Sequence, residues 1–333
     1  MKVFTTAPPS VRFDPRSYLD RIAETARWHE RSGISGMLIY TDNSLIDPWT
    51  VAQATLERTE RFVPLIAVQP LYMHPMAAAR KVSSLGILYG RRVALNMVTG
   101  GFVRDLAQLG DQTEHDMRYD RLTEYTSIMM ALLRGETATF GGTYYHVEGL
   151  GLSPALHPGL IPELFLSGAS EACVAAAATL GATRLSYTRP LNQFPPGPAG
   201  SGPLGLRLGV VTRPDRRAAW DAARARFPAD RRGQLAHSMA RATSDSVWHR
   251  DISKVADTLD DAGTDPYWVF PLKNYKTFCP YLVGSYGDVA RYVQGYADLG
   301  YGTLILDEPE SRDDLAHTVR ALQMSGQLQP ALT

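Results

Sequence analysis

Short apolar runs alternate along the chain with longer mixed segments, and the boundaries fall at glycine, proline and small polar residues. The run Val93–Val98 is too short for a helix and is closed by Thr99-Gly100-Gly101, which predicts a buried strand ending in a tight turn. The longer segments predict helices, such as one that begins at Pro75 and ends at Gly90. Repeated β-α units with almost continuously apolar strands predict a parallel sheet covered by helices.

The predicted elements follow this alternation along the whole chain. Strands are predicted at Lys2–Thr5, Met37–Tyr40, Phe62–Val68, Val93–Val98, Glu163–Ser167, Arg184–Tyr187, Leu206–Val211 and Thr303–Leu306. Helices are predicted at Asp14–Arg31, Pro48–Arg58, Pro75–Tyr89, Asp116–Arg134, Ser170–Leu180, Asp215–Phe227, Gly287–Leu299 and Ser311–Met324, with a β-hairpin at Thr137–Val147.

Eight such units close a barrel of about 250 residues before insertions. We therefore expect an α/β fold, a single (β/α)8 TIM-barrel domain over residues 1–333. No dinucleotide-binding glycine fingerprint follows the first strand, which weighs against a doubly wound sheet.

Two stretches depart from the repeat. Between Tyr187 and Leu206, prolines and glycines are too dense for a helix, so we expect a Pro/Gly-rich loop in place of the sixth barrel helix. In particular, Pro190–Pro203 should contain no helix longer than one turn. Residues 229–266 exceed the repeat and are predicted to form an insertion that is partly helical.

Asn96 is the polar residue that interrupts the fourth predicted strand. Asparagine is uncommon in strands, and a buried amide costs a few kcal/mol unless it finds hydrogen-bond partners. Side chains alternate along a strand, so Asn96 shares a face with Ala94 and Val98. Either the amide pins a neighbouring strand, or it is aimed at a bound ring system.

The stretch Asn96-Met97-Val98-Thr99-Gly100 resembles the Asn-x-Val-Thr-Gly signature of the bacterial luciferase-like flavin-dependent monooxygenases. The similarity runs from Val3 to about Pro309, and the most similar branch comprises FMNH2-dependent enzymes typified by alkanesulfonate monooxygenase. Further motifs that carry the resemblance are Thr41-Asp42, Pro75-x-x-Ala78-Ala79-Arg80, His115-x-x-Arg118-Tyr119, Phe140-x-Gly142-x-x-Tyr145 and Leu166-Ser167-Gly168-Ala169-Ser170. The resemblance independently implies the TIM barrel.

Active sites of TIM barrels lie at the carboxyl ends of the strands. This rule selects polar and small residues that lie far apart in the sequence: Thr41, Asp42, Gln69, Asn96, Thr99, Ser167, Gly168, Ala169, Ser170, Tyr187 and the Asp307-Glu308 turn. The segment from Gly168 to Ser170 leads into a helix whose first amides could bind a phosphate, or Ser170 could be an ordinary N-cap. The resemblance favours the phosphate of FMN and adds His115 and Tyr119 to the flavin site. Many members of the family also have a non-prolyl cis peptide beside the position of Gln69.

The sequence departs from the alkanesulfonate branch where that branch handles its sulfonate. Arg207 keeps the arginine of an Arg-x-His pair on the seventh strand, but Gly209 stands at the histidine, where it is expected to enlarge the pocket. Glu308 occupies the position at which that branch has a tyrosine. It either attracts a cationic substrate or lies in a solvated turn. We therefore do not expect an alkanesulfonate substrate, and the candidate catalytic residues are Asn96, Arg207 and Glu308. Four aromatic residues are expected either in a lid or in the core: Trp268, Tyr275, Phe278 and Tyr281.

Composition argues against several classes of partner. The chain has 34 basic and 34 acidic residues, so electrostatics gives no case for nucleic acid or an anionic membrane. No apolar run reaches the length of a membrane span, and the N-terminus lacks a signal-peptide core. Cys173 and Cys279 have no metal-type spacing, and Cys173 is expected to be a small core residue. We expect a cytoplasmic protein with reduced thiols and no metal.

The expected function is that of a two-component monooxygenase. The resemblance implies FMN, supplied as FMNH2 by a separate flavin reductase, which reacts with O2 to a flavin hydroperoxide that oxygenates a small organic substrate. It also implies a homodimer. Two alternatives stay open: an F420-dependent hydride-transfer oxidoreductase of the same fold, and a non-catalytic barrel that binds flavin.

Overall fold

The computed structural model describes residues 1–101, 103–194, 202–235 and 265–329. These residues form two compact units. Unit 1 comprises Met1–Thr6, Trp28–Ser35 and Leu185–Thr333, and unit 2 comprises Ala7–Arg27 and Gly36–Arg184.

The chain alternates strands and helices, and each predicted barrel strand and helix begins and ends within two residues of its prediction. The strands are β1 Lys2–Thr6, β2 Gly36–Ile39, β3 Val63–Val68, β4 Ala94–Met97, β5 Ala138–Gly141, β6 His146–Leu150, β7 Glu163–Ser167, β8 Thr183–Tyr187, β9 Leu204–Arg213, β10 Tyr267–Trp268, β11 Tyr281–Ser285 and β12 Tyr301–Leu306. The helices are α1 Pro15–Arg31, α2 Pro48–Arg58, α3 Pro75–Tyr89, α4 Val103–Gln108, α5 His115–Leu133, α6 Glu171–Leu180, α7 Arg216–Arg226, α8 Phe270–Lys273, α9 Tyr286–Asp298 and α10 Arg312–Met324.

The sheet of unit 2 joins β2, β3, β4 and β7 in that order, and all of its strand pairs are parallel. Residues such as Leu65, Ile66 and Leu95 are completely buried, which explains the nearly continuous apolar runs. Asn96 lies between Ala67 on one neighbouring strand and Phe165 on the other. The parallel register therefore brings the carboxyl ends of β3, β4 and β7 to one edge.

The sheet of unit 1 is also parallel for most of its width. β12 pairs with β1 and with the first half of β9, while the second half of β9 pairs with β11. The two-residue β10 pairs antiparallel with β11. The sequence pattern did not predict β10 or β11, because β10 is too short to show a period and β11 runs into α9 without a break.

The predicted hairpin is confirmed as the antiparallel pair of β5 and β6. Its tip is held by Glu124 of α5, whose carboxylate accepts hydrogen bonds from the amides of Thr143 at 2.8 Å, Tyr144 at 2.8 Å and Tyr145 at 3.1 Å. Gly142 is required here, since a Cβ atom at this position would meet the same carboxylate. The motif from Phe140 to Tyr145 thus has a structural explanation.

The segment after β8 contains, among its described residues, one 3-10 turn, Leu191–Gln193. This agrees with the prediction for Pro190–Pro203, of which residues 195–201 lie outside the described residues. Tyrosine hydroxyls hold the start of the segment: Tyr267 donates to the Thr188 carbonyl at 2.7 Å, and Tyr296 donates to the Arg189 carbonyl at 3.0 Å. Side-chain hydrogen bonds therefore support the backbone where no helix does.

The predicted insertion at 229–266 falls mostly on residues 236–264, which lie outside the described residues. Within the part of the chain that the structure describes, no helix is long and apolar enough to cross a membrane.

Candidate functional site

Asn96 and Ser167 meet at the carboxyl edge of the unit 2 sheet. The Ser167 hydroxyl donates to the Asn96 side-chain carbonyl at 3.1 Å, and Asn96 is only 4% exposed. The amide therefore has a structural partner from the neighbouring strand, as the first of the two interpretations expected. This hydrogen bond uses the Asn96 oxygen and leaves its amino group for a different acceptor.

Gly168 forms a tight corner between β7 and α6. Its φ is +153°, and a Cβ atom there would lie 2.6 Å from the Tyr119 hydroxyl oxygen and 2.8 Å from Cys173 Sγ. The Tyr119 hydroxyl also donates to the Ser167 carbonyl at 3.4 Å. Glycine is needed because the phenol and the thiol both approach the backbone at this corner.

The Tyr119 hydroxyl is a buried, neutral group surrounded by polar side chains. Burial and then Cys173 raise its pKa, while hydrogen bonds with Thr99 and Ser170 oppose the rise. Burial also raises the pKa of Cys173 to about 11, so both groups keep their protons at neutral pH. Predicted site residues Thr99, Tyr119 and Ser170 thus converge, and Cys173, expected to be only a small core residue, lies among them.

The N-terminus of α6 opens directly after this corner. Ser170 is the N-cap, and its hydroxyl accepts from the Cys173 amide at 3.2 Å. By helix geometry, the amides of Glu171 and Ala172 have no acceptor within the helix, and the helix dipole favours an anion near them. Ser170 is therefore an ordinary N-cap, and the helix start is also suited to a phosphate group.

The turn after β4 is fixed from two sides. Arg118 is 1% exposed and donates to the Gly100 carbonyl at 3.1 Å. Gly100 has a φ of +94°, and a Cβ atom there would lie 2.5 Å from Leu106 and 3.2 Å from the Gln69 amide nitrogen. Arg118 therefore holds the turn that carries Thr99 by a hydrogen bond, and Leu106 and Gln69 pack close to Gly100. Among the described residues, the only cis peptide bond is Ser153–Pro154, so the backbone beside Gln69 does not have the cis peptide found in many members of the family.

Asp42 and His115 are hydrogen-bonded within their own segments. Asp42 accepts from the Ser44 amide at 2.7 Å and from the Leu45 amide at 3.0 Å, so it stabilises the loop after β2, which Thr41 begins. His115 Nδ1 lies 2.6 Å from the Asp116 carboxylate. Its ring also contacts the ring of Tyr119, with centroids 5.4 Å apart, so His115 lies beside the Tyr119 group.

A second polar cluster lies in unit 1, where Asp307 follows β12. Its Oδ2 atom accepts from the Thr277 hydroxyl at 2.6 Å and from the Tyr281 hydroxyl at 2.7 Å. Arg207 of β9 approaches the other carboxylate oxygen, with 3.8 Å between Nη2 and Oδ1. Cys279 is completely buried, with Sγ 3.5 Å from the Thr277 hydroxyl.

The charges of this cluster are set by its surroundings. Burial is the largest single influence on Asp307 and raises its pKa, but Arg207, Thr277 and Tyr281 together outweigh it, so the pKa lies below the ordinary value. Burial and then Asp307 raise the pKa of Tyr281 and also that of Cys279. At neutral pH the cluster therefore holds an ionised carboxylate, a guanidinium ion and neutral phenol and thiol groups.

One expectation about this region is wrong, and for two of the four aromatic residues the structure decides between the lid and the core. Gly209 does not enlarge a pocket, because the Tyr281 ring fills its space: a Cβ atom at Gly209 would lie 2.1 Å from that ring. Trp268 and Tyr281 are 4% and 1% exposed, so they belong to the core, while Tyr275 and Phe278 are each 37% exposed.

Glu308 was chosen from the sequence in preference to its neighbour, but Asp307 is the residue hydrogen-bonded within the cluster. The described contact of Glu308 is through its backbone carbonyl, which accepts from Arg226 at 2.6 Å. The position of Asp307, directly after the last barrel strand, had already selected the turn that contains it, but not Asp307 over Glu308. Cys279 and Thr277 had no such signal, because they precede a strand that the pattern did not predict.

The sequence of this chain is similar to those of known monooxygenases. The family described as "Luciferase-like monooxygenase" matches residues 1–194 of the chain. One similar protein is BtrO of Niallia circulans, described as 4-(gamma-L-glutamylamino)butanoyl-[BtrI acyl-carrier protein] monooxygenase. It is 32% identical over 317 residues, which cover 92% of this chain and 91% of BtrO.

Solved structures share the fold at lower identity. EDTA monooxygenase from Chelativorans sp. BNC1 has a TM-score of 0.75 and 16% identity, covering 100% of this chain and 95% of that one. The oxygenating component of 3,6-diketocamphane monooxygenase from Pseudomonas putida, solved with FMN, has a TM-score of 0.71 and 18% identity, covering 100% of this chain and 98% of that one. These likenesses confirm the predicted (β/α)8 TIM barrel.

Proposed function

Because the chain belongs to the luciferase-like monooxygenase family, we propose that it is a two-component enzyme that uses FMNH2 and O2 to oxygenate a small organic substrate. A separate flavin reductase would supply the FMNH2, and the enzyme would act as a homodimer. The observation that carries the proposal is the corner at Gly168, where Tyr119, Ser170 and the start of α6 meet around a backbone that admits no side chain.

The residues of unit 2 fit an FMN molecule. Its phosphate would lie at the start of α6, where helix amides and the Ser170 hydroxyl provide donors. The Tyr119 hydroxyl, kept neutral by burial, donates its proton to the Ser167 carbonyl, and its oxygen could accept a hydrogen bond from a ribityl hydroxyl. The Asn96 amino group, whose oxygen is already bonded to Ser167, is suited to a carbonyl acceptor on the flavin ring.

FMNH2, when bound, supplies the reaction with O2, so the protein needs no nucleophile or metal of its own. What this chain provides is orientation and protection from water. Asn96 and Tyr119 are 4% and 5% exposed, so their hydrogen bonds to a cofactor would be made away from solvent, where each is stronger. Exclusion of water also limits wasteful loss of the oxidant.

The substrate class that we propose follows from one relative and from two positions of this sequence. BtrO is described as acting on an acyl group held by an acyl-carrier protein. We propose that this chain likewise acts on a polar substrate. Alkanesulfonates are excluded, because Gly209 and Glu308 replace two side chains that are expected to bind a sulfonate group.

The proposal is tested by anaerobic titration with FMNH2, followed by stopped-flow mixing with O2. We expect the protein to bind FMNH2 more tightly than oxidised FMN and to change the rate at which the reduced flavin is reoxidised. Identical reoxidation with and without protein would overturn the proposal. A parallel titration with F420 distinguishes the hydride-transfer alternative, because F420 binding without FMNH2 binding would favour it.

A further inference from the structure

The helix α6 has three buried residues, Cys173, Ala176 and Ala177. The two alanines carry no side-chain atom beyond Cβ, whereas Cys173 adds a sulfur atom and is completely buried. A thiol is a weak hydrogen-bond donor and acceptor, so its contribution is not limited to packing. The groups around the sulfur therefore decide whether Cys173 is only a small core residue.

The Cys173 thiol lies beside the Tyr119 hydroxyl. A Cβ atom at Gly168 would lie 2.8 Å from Cys173 Sγ and 2.6 Å from the Tyr119 oxygen, so both atoms border the same small space. A hydrogen bond between these two side chains influences the pKa of each. The Tyr119 hydroxyl also donates to the Ser167 carbonyl at 3.4 Å, which is long for such a bond. The thiol is therefore a second contact that limits where the Tyr119 oxygen can lie.

The other side chains around the Tyr119 hydroxyl are more accessible than Cys173. Thr99 and Ser170 form hydrogen bonds that influence the pKa of Tyr119, and both residues are partly exposed. Both are also candidates for binding the cofactor, so their hydroxyls would be shared with FMN. Cys173 is completely buried and keeps its contact with Tyr119 whether or not a cofactor is bound.

We propose that Cys173 is a positioning residue for FMN, whose thiol holds the Tyr119 hydroxyl where its oxygen meets the ribityl chain. This inference rests on the proposed function, since it requires FMN at the corner formed by Gly168. One long hydrogen bond to a carbonyl leaves the phenol a range of positions. Contact with the sulfur narrows that range before the cofactor binds, so less conformational entropy is lost on binding.

The test begins with two substitutions of Cys173. Cys173→Ala removes the sulfur but keeps the amide that donates to the Ser170 hydroxyl oxygen at 3.2 Å, so it tests the thiol alone. In anaerobic titrations this variant should bind FMNH2 about five-fold more weakly than the unaltered protein. Cys173→Ser restores a hydrogen-bonding group and should bind within about two-fold of the unaltered protein. Val174→Ala, at a residue of the same helix that is 39% exposed, is the control and should leave the affinity unchanged.

A double-mutant cycle shows whether Cys173 acts through Tyr119. Tyr119→Phe removes the hydroxyl and keeps the ring. In that background, Cys173→Ala should cause less than about a two-fold further loss of FMNH2 affinity, because the group that the thiol positions is already absent. A cysteine that only packs in the core would cause the same loss with and without the hydroxyl.

The outcomes separate this inference from the proposed function. Unchanged FMNH2 affinity in a folded Cys173→Ala variant, equal losses in the alanine and serine variants, or additive losses in the cycle would overturn the role of the thiol alone. If Cys173→Ala does not fold, as circular dichroism would show, Cys173→Val takes its place, because valine also lacks a hydrogen-bonding group. No binding of FMNH2 by the unaltered protein would contradict the proposed function, and this inference with it.

Discussion

Replacing Gly168 with alanine tests the flavin site at its tightest point. The added Cβ atom would lie 2.6 Å from the Tyr119 oxygen and 2.8 Å from Cys173 Sγ, and the φ of +153° is one that alanine rarely adopts. Overpacking of this kind costs about 1–3 kcal/mol. Strain of the backbone adds about 1–3 kcal/mol. The variant should therefore be less stable, and its corner should be displaced from the helix start.

Gly181→Ala provides a matched control at the other end of the same helix. Gly181 also has a positive φ, of +61°, but a Cβ atom there would meet nothing within 4 Å. It therefore tests an alanine at positive φ, in the milder left-handed region, without the collision. We expect Gly168→Ala to lower the thermal midpoint by about 4–8 °C and Gly181→Ala by about half as much.

The decisive measurement is the affinity for FMNH2 in anaerobic titrations of both variants. Gly168→Ala should weaken binding at least ten-fold, corresponding to about 1.4 kcal/mol or more, while Gly181→Ala should bind as the unaltered protein does. Adding Tyr119→Phe to Gly168→Ala removes the nearest collision and should restore part of the midpoint without restoring affinity. Normal FMNH2 affinity in a folded Gly168→Ala protein would refute the assignment of this corner to the cofactor.

Three other predictions follow from single contacts. Asn96→Ala should weaken FMNH2 binding about five-fold with little change in midpoint, and a large loss of midpoint with unchanged affinity would assign Asn96 to the core instead. Glu124→Gln should destabilise the β5–β6 hairpin by about 1–3 kcal/mol, because the amide group has one oxygen and cannot accept hydrogen bonds at both positions of the carboxylate. A lower thermal midpoint and faster proteolysis of the hairpin would show this, and an unchanged midpoint would contradict the role of Glu124. Burial lowers the pKa of His29 to about 3. The free energy of unfolding should therefore decrease as the pH falls below the ordinary pKa of histidine, because the unfolded chain then binds a proton that the folded chain does not bind. The loss should approach about 1.4 kcal/mol per pH unit between pH 6.5 and 3, and His29→Gln should remove it.

Much of the fold could be predicted because its signals are local. Proline and glycine mark the limits of α3, from Pro75 to Gly90, and the structure places the helix and its left-handed C-cap there. The apolar run around Leu95 predicted a strand that is buried on both faces. In contrast, β10 has two residues, which is too few for a period to be visible, and its existence depends on pairing with β11.

The residues of the candidate sites could also be predicted only in part from the sequence. The rule that barrel strands present their carboxyl ends to the site predicted that Asn96 and Ser167 would lie near each other, and they share a hydrogen bond. The contact between Tyr119 and Gly168 could not be predicted from spacing, because it joins α5 to a corner 49 residues further along the chain. Such contacts depend on how helices pack on a sheet, and the sequence patterns of the two segments do not indicate this packing.

Gly209 shows how a single position can mislead when its neighbours are unknown. In sequence, a glycine where related enzymes carry histidine predicts empty space. In the structure, β11 pairs with the second half of β9 and aligns Tyr281 directly with Gly209. The Tyr281 ring then occupies the space of the missing side chain, and its hydroxyl donates to Asp307. The polar side chain at this position therefore belongs to Tyr281 of β11 and not to a residue of β9, and it is hydrogen-bonded to the ionised carboxylate of Asp307.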